Sequence, residues 1–159
     1  MAVAFDRNDE TIPPLEAELA DVLRAANLRG RQARAVAARL GWDGEGGRTL
    51  ALAAEPEGYS RERVRQLEER VRAVGGLSRP ATRTIAAALR LIEDAAPIAP
   101  RDASVLLAEA GISRCPFEIG GLLSAADITD VQHSLRLRDG MIVLWGRPVA
   151  VPEPAMVTT

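Results

Sequence analysis

The chain has 159 residues, 47% of them hydrophobic, with a formal net charge of −2. That length allows one ordinary domain or two small helical ones, and the apolar fraction is enough for a core. The slightly acidic balance argues against tight, non-specific nucleic-acid binding, which needs a basic field, but it is compatible with a locally basic face.

Residues 1–13 carry mixed charge and little pattern and are expected to be a flexible tail. Pro13 and Pro14 open a helix, where the missing proline N–H costs nothing, and Leu15, Leu19, Val22 and Leu23 recur at helical spacing up to Asn27. A second helix is expected from Gly30 to Leu40, with Ala33, Val36, Ala37 and Leu40 inward and Gly41 as its stop. The loop Trp42-Asp43-Gly44-Glu45-Gly46-Gly47 is rich in glycine. It is a poor phosphate cradle, because no strand precedes it and no Lys-Ser/Thr follows it. Thr49 caps a short third helix from Leu50 to about Glu55, which Pro56 and Gly58 end.

Next comes the stretch from Tyr59 to Arg72. Ser60 stands at an N-cap position, and Val64, Leu67 and Val71 make one narrow apolar stripe. Arg61, Glu62, Arg65, Gln66 and Glu69 fall on the other side. Arg and Gln projecting from the first turns of a helix are the groups that read base edges in a major groove. The plainer alternative is a solvated charged helix held by pairs such as Glu68 with Arg72. Two helices meeting across a tight turn, the second with a polar face, predict a helix-turn-helix.

The run Arg31 to Leu40, Gly41-Trp42-Asp43-Gly44, Thr49-Leu50, then Ser60-Arg61-Glu62-Arg63-Val64-Arg65-Gln66-Leu67-Glu68 resembles region 4 of the bacterial sigma-70 family over residues 15–75. The resemblance implies major-groove recognition of promoter-like DNA. Arg61, Glu62, Arg65 and Gln66 would face the bases, and Ser60 and Arg63 would hold phosphates. Pro56 and Glu57 stand where the family keeps helix and an apolar residue. No segment resembles the family's aromatic-rich strand-melting region, so the chain is expected not to open a promoter alone.

Gly75-Gly76 and Ser78-Arg79-Pro80 suggest a linker between a unit at 14–76 and a second at 80–148. In the second unit Ile85, Leu89 and Ile92 mark a helix ending at Ala96-Pro97. Another runs from Pro100 to Ala110 with Val105 and Leu106 inward, and a third from Pro116 to about Ile128. The period then changes to two. Ser134 to Arg138, the turn Asp139-Gly140 and Met141 to Trp145 predict a hairpin that pairs Arg138 with Met141 and Leu135 with Leu144. Leu135, Leu137, Ile142 and Leu144 then share a buried face, and Arg136 and Arg138 the other. Three helices and a hairpin is the order of a small winged-helix-like unit, so the fold class expected is mainly α with a C-terminal β-hairpin. On such a wing Arg136 and Arg138 would contact phosphates, or simply keep an edge strand soluble. The third helix is poor in Arg, so protein contact is at least as strong an expectation for this unit. Residues 149–159, with Pro152 and Pro154, are expected to be irregular.

Chemistry beyond binding has little support. His133 and Cys115 are single copies without further ligands at metal spacing, and Asp127 and Asp130 suit a helix end better than an acid/base pair. No enzyme activity, metal or cofactor is expected. One cysteine, no signal-like N-terminus and no long apolar run suggest a cytoplasmic protein without membrane contact. The expectation is therefore a bacterial sequence-specific DNA-binding transcription regulator acting on double-stranded DNA. The alternative is an adaptor that binds core RNA polymerase, or a homodimer formed through the C-terminal unit.

Overall fold

The computed structural model describes residues 12–77 and 81–145. The expected tails fall almost wholly outside these residues, as does the Ser78-Arg79-Pro80 part of the expected linker. The described chain is mainly helical. Its elements are α1 (Leu15–Ala25), α2 (Arg31–Leu40), α3 (Leu50–Ala54), α4 (Arg61–Leu77), α5 (Arg83–Ala95), α6 (Pro100–Glu109) and α7 (Ile119–Thr129). They are followed by an antiparallel hairpin of β1 (Leu135–Arg138) and β2 (Met141–Leu144).

Local signals in the sequence fix most boundaries. Pro14 precedes α1, and Gly41 takes a left-handed φ of 81° to end α2. The Thr49 hydroxyl accepts the Leu52 N–H at 3.2 Å. The Ser60 hydroxyl accepts the Arg63 N–H at 3.1 Å and so satisfies a first-turn donor of α4. Asp139 and Gly140 both have positive φ, as a two-residue hairpin turn requires. The register is the expected one: Leu135 with Leu144, Arg136 with Val143, Leu137 with Ile142 and Arg138 with Met141.

Three expectations need correction. Gly75 and Gly76 do not break α4, which runs to Leu77. Its inner stripe holds it against the core through Leu67, Val71 and the half-buried Val74, and packing overrides the weak propensity of glycine. In α6 the buried pair is Ala103 and Leu107, one turn apart, so Leu106 only borders the core and Val105 is exposed. In the hairpin only Leu135 and Ile142 are buried, and Leu137 and Leu144 on the same face stay exposed. The two buried residues lie on one diagonal of the hairpin, and an isolated bridge joins Ile142 to Ile98.

The described parts of the two expected units share one core, in which Leu19, Leu67 and Val71 pack with Ile85, Leu107 and Leu122. Polar groups tie the same seam. The Glu18 carboxylate, 1% exposed, accepts the N–H groups of Thr84 at 3.1 Å and Ile85 at 2.8 Å. It thereby caps α5 from α1. The Trp42 indole donates to Ser124 Oγ at 3.0 Å, and Ser124 donates to the Leu40 carbonyl at 2.7 Å. The loop after α2 is thus docked on α7.

Candidate nucleic-acid interface

The polar face of α4 is held by two separate sets of contacts. Val64 packs with Ala35 of α2 and Ala53 and Ala54 of α3 in a small cluster of its own, whereas Leu67 and Val71 enter the main core. Alanine at 35, 53 and 54 lets three helices approach closely around one valine. Between α3 and α4, residues Glu55–Glu57 form a turn of 3-10 helix. Gly58 (φ 75°) reverses the chain, a conformation that favours glycine.

Pro56 and Glu57 are accommodated within this turn. The Glu57 carboxylate receives Arg34 Nε and Nη2, each at 3.1 Å, and its carbonyl receives Arg31 Nη1 at 3.1 Å. That bidentate contact raises the pKa of Arg34 above its ordinary value. Arg31 also lies over the Tyr59 ring, 5.2 Å from its centroid. Sequence reading missed Arg31 and Arg34. Their signal was present: two arginines three apart on one face of α2, and an acidic residue, Glu57, in the turn after α3.

Arg61, Glu62, Arg65 and Gln66 are all exposed on one side of α4, with Ser60 exposed at its start and Arg63 half-buried. They are not independent. Arg65 Nε donates to Glu62 Oε1 at 3.0 Å and Nη2 to Oε2 at 2.5 Å, while Nη1 reaches Glu69 at 2.5 Å. The Gln66 amide leans on Glu62 at 3.4 Å. Accordingly the hydrogen bonds from Arg65 hold the Glu62 carboxyl below its ordinary pKa, and the two carboxylates raise that of Arg65. Glu62, Arg65 and Glu69 together carry one net negative charge. Three of the five N–H groups of Arg65 are spent on these carboxylates, and one each on Nη1 and Nη2 is left over.

Arg136 and Arg138, the other expected phosphate contacts, are on the hairpin, which packs beside α5. Arg136 lies over the Trp145 ring, 3.9 Å from its centroid. Among the described residues no group of three or more His, Cys, Asp or Glu side chains is placed to hold a metal ion, and no helix is long and apolar enough to cross a membrane. His133 accepts the Leu135 N–H through Nδ1 at 3.0 Å, and Cys115 is an exposed free thiol. The chain matches no protein-family model, no curated protein and no solved structure.

Proposed function

We propose that this protein is a sequence-specific DNA-binding transcription regulator that inserts the first turns of α4 into the major groove. The observation that carries the reading is the exposed set Arg61, Glu62, Arg65 and Gln66 on a helix clamped from behind by Val64 and capped by Ser60. The α2–α3–α4 unit with its Gly58 turn suits a helix-turn-helix, and the residue pattern resembles sigma region 4. Arg61 and Arg65 take guanine acceptors, Gln66 takes adenine and Glu62 accepts from cytosine, while Ser60 and Arg63 position the backbone. The order α5, the Ile98 bridge, α6, α7 and hairpin suits a winged-helix-like unit that braces the reader from behind. The protein acts on duplex DNA in the bacterial cytoplasm and does not melt it alone.

Fluorescence anisotropy on duplexes that differ by one base tests this. Arg65→Ala costs about 1–3 kcal/mol at one base position and relaxes the choice there. An equal loss on every sequence would reduce Arg65 to a phosphate contact.

A second reading is favoured by one feature. Between α2 and α3 lies a groove of about 340 Å³ with an apolar floor of Ala37, Ala38, Ala53, Pro56 and the 58% exposed Leu52, and with the charged Arg34, Asp43, Arg48 and Glu57 also lining it. It suits an apolar side chain of a protein partner, and region 4 of the sigma family binds the flap of RNA polymerase. Capture of core polymerase in salt high enough to strip DNA contacts supports that reading, and capture lost on nuclease treatment removes it.

A further inference from the structure

The hairpin leaves one edge open, and the chemistry of that edge is specific. Ile142 spends its N–H and C=O on Ile98, at 2.8 and 3.0 Å. Its cross-strand partner Leu137 therefore belongs to a non-hydrogen-bonded pair, and the Leu137 N–H and C=O point outward from β1. They have no partner among the described residues. On the same edge the Leu135 N–H is taken by His133, so the open template is short and centred on Leu137.

Edge strands are usually defended by brevity and charge, and β1 has both. Yet its hairpin also exposes Leu137 (49%) and Leu144 (40%) on one face, and Met141 (37%) and Trp145 (53%) on the other. One exposed apolar residue needs no explanation, but here each face of a short hairpin exposes two large apolar groups beside the open edge. A phosphate backbone offers nothing to four large apolar groups. A second copy paired antiparallel through β1 and centred on Leu137 would set Arg136 of each copy against Arg138 of the other, and like charges facing each other across strands are unfavourable.

Neither arginine has a carboxylate partner among the described residues. Stacked on Trp145, Arg136 still presents the N–H edge of its guanidinium. We propose that β1 is a docking strand for an extended acidic peptide segment of another protein. The segment adds to the sheet through the Leu137 N–H and C=O, with carboxylates at alternate positions toward Arg136 and Arg138 and apolar residues toward Leu137 and Leu144. This surface is independent of α4 and stands whether or not α4 reads DNA.

The test uses the full chain, isotope-labelled for NMR, titrated with the synthetic hexapeptides (Glu-Val)₃ and (Lys-Val)₃ and, separately, with a random-sequence DNA duplex. The (Glu-Val)₃ peptide should bind saturably, shift the Leu137 amide and Trp145 indole signals, and slow exchange of the Leu137 amide. (Lys-Val)₃ should bind at least about tenfold more weakly, since like charges at an interface are strongly disfavoured. The double variant Arg136→Glu/Arg138→Glu should reverse that preference, and Arg138→Glu alone should abolish it if the double variant is unfolded by circular dichroism. Equal response to both peptides, or none at β1, overturns the proposal. So does protection of the same amides by DNA in place of peptide, or by raised protein concentration alone.

Discussion

Arg39 of α2 and Glu68 of α4 meet Nε to Oε1 at 3.0 Å, and the Glu68 side chain is only 13% exposed. Arg39 also donates to the Arg48 carbonyl at 2.8 Å, and Glu68 also receives Arg72, which reaches on to Asp127 of α7 at 3.1 Å. One chain of charges thus fixes α4 against both α2 and α7. Arg39→Ala should cost about 1–2 kcal/mol in urea denaturation, because Glu68 keeps Arg72 as a partner. On the role proposed for α4, it should also weaken DNA binding by the same factor on every sequence, since it loosens the seat of α4 on α2.

Glu18 makes a second prediction. Its carboxylate is the cap of α5 although it is carried by α1, and it is nearly fully buried. Glu18→Ala strands two donors, at about 1–3 kcal/mol for each buried group left unpaired. Because residues on both sides of α4 share the core, thermal unfolding followed by circular dichroism and by tryptophan fluorescence should shift together. Loss of the C-terminal signal alone would show that α5 to β2 melts as a unit of its own.

Two glycines meet backbone to backbone at the seam of α2 and α7. A Cβ on Gly121 would sit 2.1 Å from the Gly41 carbonyl oxygen and 2.9 Å from the Phe117 ring. Neither a backbone carbonyl nor a fully buried ring can yield, so Gly121→Ala should destabilise by about 1–3 kcal/mol or more, as overpacking does. Gly120→Ala meets only the end of the Glu118 side chain, at 3.1 Å, and should cost much less in the same denaturation assay.

Much of this was legible in the sequence. Ser60, Thr49, Gly41 and Asp139-Gly140 act within a few residues of themselves, and each does what its local chemistry dictates. What stayed hidden depends on distant partners. The reach of Glu18 to α5 spans more than sixty residues, and no periodicity encodes it. Gly75-Gly76 looked like a break because propensity is local, whereas the stripe ending at Val74 that holds α4 is tertiary. Alternation put Leu137 and Leu144 on a buried face, but the Ile98 bridge decides how much of that face meets the core. At the candidate site, helical spacing placed Arg61, Glu62, Arg65 and Gln66 on the exposed side of α4, where they are found. Its internal pairing of Arg65 with two glutamates, and the clamp of Arg31 and Arg34 on Glu57, needed coordinates.

The Glu62–Arg65 contact sets a pH dependence. A carboxyl whose pKa is lowered on folding contributes stability above its ordinary pKa and loses it as pH falls through the lowered one. The Glu62 carboxyl, followed by carbon NMR, should therefore titrate at lower pH in the wild type than in Arg65→Ala. Identical midpoints would mean that the pair does not persist in solution, as happens with many exposed ion pairs.

Selection of bound duplexes from a random DNA pool by the full chain tests the role of α4 most directly. A clear enriched motif should emerge, and the Arg61→Ala/Arg65→Ala/Gln66→Ala triple variant, folded by circular dichroism, should lose it. No enrichment with the wild type, or the same motif from the triple variant, would contradict α4 as the reader.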